Sequence, residues 1–226
     1  MKTEIPGLKK QVILRFIMVL IFIGLMLFLP AGTLYYWQAW IYCGILFIPM
    51  FFMLSYLLKK DPELLERRMR MREKEEKQKS IQIFTTIFFF IGFIIPGLDY
   101  RYHWSNVPVI LVIAANAIVL SGYIFVFFVF RENSYASRII EVEKGQKVIT
   151  TGPYALVRHP MYLGVLLMFL FTPLALGSYW ALFFFLPLLP LIVLRILNEE
   201  EVLLRELPGY EEYCMKTKYR LIPFIW

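Results

Sequence analysis

Hydrophobic residues along this chain fall into long unbroken runs separated by short polar stretches. They do not alternate with the period of two that marks a half-buried strand. A helix crossing a bilayer needs ~20 largely apolar residues, within a range of about 17 to 25. Residues 12–29, 37–58, 81–98 and 107–130 each meet that length. Two further apolar segments follow: 161–176 is short and carries Thr172-Pro173, and 179–197 holds Pro187 and Pro190. The turn-forming pair Gly177-Ser178 between them predicts a tight helical hairpin, tilted or kinked by its prolines. The pattern predicts an all-α integral membrane protein with about six transmembrane helices. The first run exceeds the usual apolar core of a signal peptide, and no small-residue cleavage pattern follows Leu29-Pro30, so it reads as a retained span.

Composition agrees, at 59% hydrophobic residues with a mean hydropathy of +0.63. Charge adds an orientation. The 24 Lys and Arg residues cluster at 2–15, 59–79, 131–158 and 195–220, and with six spans all four clusters fall on one side. Only Arg101 lands opposite. Lys and Arg accumulate on cytoplasmic loops, so both termini are expected in the cytoplasm and the 99–106 loop beyond the membrane. The net charge of +7 then reads as attraction to anionic lipid headgroups. Nucleic-acid binding, which needs a basic surface on a soluble module, is not expected. Tyr35, Tyr36, Trp37, Trp40, Tyr179 and Trp180 are expected to form interfacial belts. Cys43 and Cys214 lie far apart in this topology, as do His103 and His159, so neither a disulfide nor a metal site is expected.

Polar density divides the chain in two. Residues 1–130 form a four-span membrane region in which Asn116 reads as helix–helix glue and 61–79 as a surface-lying amphipathic helix. Residues 131–226 hold nearly all the polar density that points to chemistry. The run at 152–164, GPYALVRHPMYLG, puts Arg158 and His159 at the lip of an apolar segment, where polar groups are costly unless partnered. Pro160 suits the first position of a helix, whose free N–H groups would face the space beside His159 and Tyr162. That arrangement fits an anionic or carboxylate-bearing ligand at a membrane surface. Beyond the last span, Asn198 is followed by Glu199, Glu200 and Glu201. Arg195 and Glu199 are spaced i,i+4 and share a helix face. The hairpin returns them to the end that holds His159, and the helix is expected to stop at Pro208-Gly209.

These motifs, their order and their spacing resemble the isoprenylcysteine carboxyl methyltransferase family of integral-membrane enzymes, which is related to the phospholipid methyltransferases. The likeness covers roughly 133–226. It rests on Arg-His-Pro-x-Tyr-x-Gly at 158–164, the acids at 199–201, Gly-Tyr-Glu-Glu-Tyr at 209–213 and Arg-Leu-Ile-Pro at 220–223. The resemblance implies S-adenosyl-L-methionine-dependent methyl transfer to a lipophilic acceptor at the cytoplasmic membrane face. It further implies cofactor contacts from Gln146, Lys147, Val148, Ile149, Tyr154, His159, Pro160, Met161 and Tyr162. To these it adds an acid that is Glu199 or, one residue on, Glu200. Arg195 is implied to meet the acceptor, with Glu199 one turn after it, and an arginine there favours an acceptor carboxylate. Two other readings stay open: an NADPH-dependent membrane reductase of the sterol-reductase type, and a phospholipid amine N-methyltransferase.

Overall fold

The computed structural model describes residues 6–70 and 76–226, and within this range the chain is an all-α integral membrane protein. Five helical segments are long and apolar enough to cross a bilayer. Four of them are α1 (Leu8–Ala31), α2 (Trp37–Lys60), α4 (Glu76–Tyr102) and α5 (Val109–Glu132), with a short α3 (Pro62–Met69) between α2 and α4. The fifth combines α7 (Leu182–Phe185) with α8 (Leu188–Glu206), interrupted at Pro187. The predicted sixth span is α6 (Pro160–Ala175), an apolar helix of 16 residues. A last short helix, α9 (Tyr210–Lys216), follows.

The C-terminal hairpin turns where the sequence places it. Gly177 sits at φ +75, a left-handed conformation that suits a residue without a side chain. Polar side chains fasten this turn. Asn116 donates through Nδ2 to the carbonyls of Val112 at 2.9 Å and Ala175 at 3.0 Å, so it does join α5 to α6. The Tyr36 hydroxyl donates to the Leu176 carbonyl at 2.5 Å, and Asp99 accepts from Ser178 Oγ and from Ser105. Tyr36 is therefore buried rather than part of an interfacial belt, because its hydroxyl is needed to satisfy the hairpin's freed carbonyl. Tyr35, Trp40 and Trp180 are exposed, as belt residues should be.

Helices α5 and α6 cross with their backbones in close approach. A Cβ on Gly164 would lie 2.6 Å from Val126 Cγ2, and one on Gly122 would lie 2.9 Å from the Gly164 carbonyl oxygen. Without a hydrophobic drive between helices in lipid, such small residues let packing and dispersion hold the pair. Gly164 lies barely more than one turn beyond Pro160, so this crossing sets where the α6 N-terminus points. Gly164→Ala should push α6 off α5 at a cost of about 1–3 kcal/mol. The check is a lower melting temperature in detergent than for the wild type.

All four basic clusters contribute to the opposite end. Asp61 caps α3 by accepting from Leu64 N at 3.1 Å, and Pro62 opens it. Arg15 Nη1 donates to the Met69 carbonyl at 2.7 Å, Arg67 Nη1 to the Ser134 carbonyl at 2.9 Å, and Arg70 Nη1 lies 2.6 Å from Glu141 and 2.5 Å from Glu143. Arg195, from the C-terminal cluster, donates through Nη2 to the Arg138 carbonyl at 2.7 Å. The predicted amphipathic helix at 61–79 is thus a short helix docked on the 133–143 loop; residues 71–75 lie outside the described range.

Candidate functional site

The space at this end is bounded by the 133–149 segment, the Gly152–Ala155 turn, the start of α6, the middle of α8 and α9. It measures about 810 Å³ with its open mouth included, which is the scale of a small-molecule site. Of the residues implicated from sequence, Gln146, Lys147, Val148, Ile149, Tyr154, His159, Met161, Tyr162, Arg195 and Glu199 line it. Pro160 and Glu200 do not. Pro160 is buried at the first position of α6, the helix-opening role predicted for it, which needs no N–H.

The two acids are treated differently. Tyr162 donates its hydroxyl to Glu199 Oε2 at 2.6 Å and accepts from Arg195 Nε at 2.8 Å. Arg195 and Glu199, one turn apart on α8, thus grip one phenol, and Glu199 also lines the cavity. Arg195 also donates to Gln78 Oε1 at 2.9 Å, so a guanidinium implied to meet an acceptor is engaged on three protein groups. Glu200 faces the other way. Its carboxylate lies 2.8 Å from Arg158 Nε and 2.7 Å from Arg220 Nε, with His159 Nε2 at 3.3 Å. The Arg158 contact is an ion pair whose angle falls short of a hydrogen bond.

The tail completes this buried knot. The N–H groups of Arg158 and His159 donate to the carbonyls of Tyr219 and Arg220, each at 2.9 Å. The sequence motif and the tail motif are therefore one structure, which explains Arg158, Arg220 and Glu200 without a ligand. His159 is shared, lining the cavity on one side and touching Glu200 on the other.

Tyrosines supply the remaining walls. Tyr154 is held by Asn133 Nδ2 on its hydroxyl at 2.8 Å and by Tyr213, whose hydroxyl donates to the Tyr154 carbonyl at 2.7 Å. Burial pushes the phenols of Tyr154, Tyr210 and Tyr213 well above their usual range, so they stay neutral. Tyr210 lines the cavity, and its hydroxyl is buried with no hydrogen-bond partner among the described residues. A buried polar atom of this kind costs free energy unless something bonds it, and the cavity is where that partner would sit. Sequence reading passed over Asn133, Gln78, Tyr210 and Tyr213. Only the last two carried a signal, since both fall in the tail motif.

S-adenosyl-L-methionine carries an ammonium, a carboxylate, a sulfonium and an adenosine. The donor set fits it: Glu199 for the ammonium, aromatic faces for the sulfonium and adenine, and the Tyr210 hydroxyl for a polar edge. The sequence model of the phospholipid methyltransferase family matches residues 110–209, which run from α5 to the end of α8 and so span most of this site. A curated relative, the Delta(14)-sterol reductase TM7SF2 of Mus musculus, is 32% identical over 90 residues. That stretch is 38% of this chain and 22% of the reductase, so the likeness is to a part of that protein.

Proposed function

We propose that this protein is an S-adenosyl-L-methionine-dependent membrane methyltransferase of the isoprenylcysteine carboxyl methyltransferase type, acting on a lipophilic acceptor. The observation that carries this reading is the Arg195–Tyr162–Glu199 chain inside a cavity whose walls fall mostly within the phospholipid methyltransferase match. Glu199 would hold the ammonium end of the cofactor. Tyr154, Tyr162 and Tyr210 would supply aromatic surface for its adenosine and sulfonium, and residues 146–149 line the same cavity. When bound, the cofactor supplies an electrophilic methyl group. The protein's share of the work is positioning, which supplies ~7–11 kcal/mol in well-oriented intramolecular reactions, and exclusion of water from opposite charges. Arg195 sets the Tyr162 phenol, and through it Glu199. The charge asymmetry supports a cytoplasmic site, with the 99–106 loop on the far side. In a variant lacking native cysteines, a cysteine at exposed position 103 should label from outside and one at exposed position 144 only from inside. The opposite pattern would move the site to the other face.

The partial identity to a sterol reductase keeps one competing reading, an NADPH-dependent reduction. Calorimetry on the detergent-solubilised protein with S-adenosylhomocysteine and with NADPH separates them. Heat with the first and none with the second is expected, and binding of NADPH alone would replace the methyltransferase reading.

A further inference from the structure

The tail that closes the Arg158–Glu200 knot continues past Arg220 into a tight turn. Ile225 N and Trp226 N donate to the Ile222 carbonyl at 3.2 and 3.1 Å, and Leu221 N and Ile222 N donate to the main-chain oxygen of Trp226 at 2.9 and 3.1 Å. Phe224, at the tip, has φ +66, a left-handed conformation that a bulky residue seldom adopts. The inner side of the turn is packed. Leu221 shares one apolar cluster with Tyr162, Leu166 and Ile196, and Ile222 and Trp226 pack against it. The outer side carries Phe224 and Ile225, which are 87% and 77% exposed. A strained backbone that turns two large apolar side chains outward is not explained by the packing beneath it.

The residues around this tip match a bilayer surface. The cluster beneath it is built on α6 and α8, and Leu194 and Leu197, within one turn of Ile196, are exposed apolar side chains of a spanning segment. The tip therefore continues the lipid-facing surface of the spans at their site end. Its aromatic and cationic neighbours are those of a membrane interface: the Tyr219 and Phe224 rings have centres 5.3 Å apart, and the Arg220 guanidinium lies 5.4 Å from the centre of the Trp226 ring. Lys216 and Lys218, both exposed, lead into the turn. Cations beside inserted apolar side chains favour anionic headgroups.

We propose that the 222–226 turn is an interfacial anchor, seating Phe224 and Ile225 in the headgroup region of an anionic bilayer and so holding the tail beneath the site. The tail reaches the site by three routes. Leu221 joins Tyr162 in one cluster, Arg220 Nε donates to Glu200 at 2.7 Å, and the Tyr219 and Arg220 carbonyls accept from the N–H groups of Arg158 and His159. Lifting the turn off the bilayer loosens Tyr162 and His159 through these contacts. The turn lies outside the 110–209 match, to which that likeness assigns nothing. Only its effect on cofactor affinity rests on the methyltransferase reading above.

The anchor can be read without any cofactor. The full-length protein, with Cys43 and Cys214 replaced by serine, is placed in nanodiscs of phosphatidylcholine and phosphatidylglycerol. A fluorophore is attached to a single cysteine introduced as Ile225→Cys, as Lys218→Cys on the exposed tail, or as Phe128→Cys on the exposed side of α5. Position 225 should be quenched by a shallow nitroxide lipid as position 128 is, and be shielded from aqueous iodide about fivefold relative to 218. Iodide quenching equal to that at 218, with no nitroxide quenching, would leave the tip to water or a protein partner and overturn the anchor. Replacing phosphatidylglycerol by phosphatidylcholine should weaken the nitroxide quenching, and no change would overturn the anionic assignment. For the coupling, Phe224→Asp combined with Ile225→Asp, both at exposed positions, should speed amide exchange in peptides covering 156–166 and 217–222 by about tenfold. Unchanged exchange at 156–166 would overturn the link to the site. A protein that gives these responses but no heat with S-adenosylhomocysteine would keep the anchor and lose the methyltransferase reading.

Discussion

Glu199→Ala is expected to weaken S-adenosylhomocysteine binding by about one to two decades at an unchanged melting temperature, while Glu200→Ala should destabilise the protein itself. The neighbouring acids diverge because α8 turns them by about 100° from each other. Glu199 accepts from Tyr162 and lines the cavity, so its loss should remove a charge-assisted contact of about 1.5–3 kcal/mol to a ligand. Glu200 is 5% exposed and lies between two guanidiniums. Removing it leaves Arg158 uncompensated in a buried setting, at about 3–5 kcal/mol. It also unfastens the tail, whose pairing with Arg158 and His159 depends on that knot. Thermal melts and calorimetry on both variants decide the matter. Lost binding with a normal melt in Glu200→Ala, and normal binding in Glu199→Ala, would assign the cofactor acid one residue later.

That pair shows what the sequence could and could not say. The i,i+4 spacing put Arg195 and Glu199 on one face, and the structure has both on the Tyr162 hydroxyl. The start of α6 at Pro160 and the turn at Gly177-Ser178 were equally legible, because proline and glycine act on their own backbone. Which of two adjacent acids faces a cavity depends on where another helix and the tail are packed. Glu200 meets Arg220, twenty residues on, only because the tail folds back beneath 158–159. Likewise nothing local to 61–79 says that Arg67 and Arg70 will reach the 133–143 loop, since that contact is set by how α2 and α5 cross. Tyr36 belongs to the same class: its position predicts a belt, and only the carbonyl of Leu176 makes it a buried partner.

Arg195→Ala is expected to lower cofactor affinity and methyl transfer together. The sequence resemblance gives this arginine to the acceptor, which predicts lost turnover with near-normal S-adenosylhomocysteine binding. The geometry favours a positioning role, because Nε, Nη1 and Nη2 each already donate to the protein, on Tyr162, Gln78 Oε1 and the Arg138 carbonyl. Without Arg195, Tyr162 loses the donor that fixes its hydroxyl, and Glu199 loses the orientation that the phenol imposes. The loss in affinity should be about tenfold or more, the scale of one charge-assisted hydrogen bond. Arg195→Lys should recover little, because a single ammonium on a flexible stem cannot reproduce a planar fork spread over three acceptors. Tyr162→Phe separates the two routes. It removes the relay while leaving the guanidinium in place, so it should match Arg195→Ala in cofactor affinity if Arg195 acts through the phenol. Calorimetry alongside transfer of labelled methyl to a membrane lipid extract reads both quantities. Normal affinity in Arg195→Ala with abolished transfer would return the arginine to the acceptor.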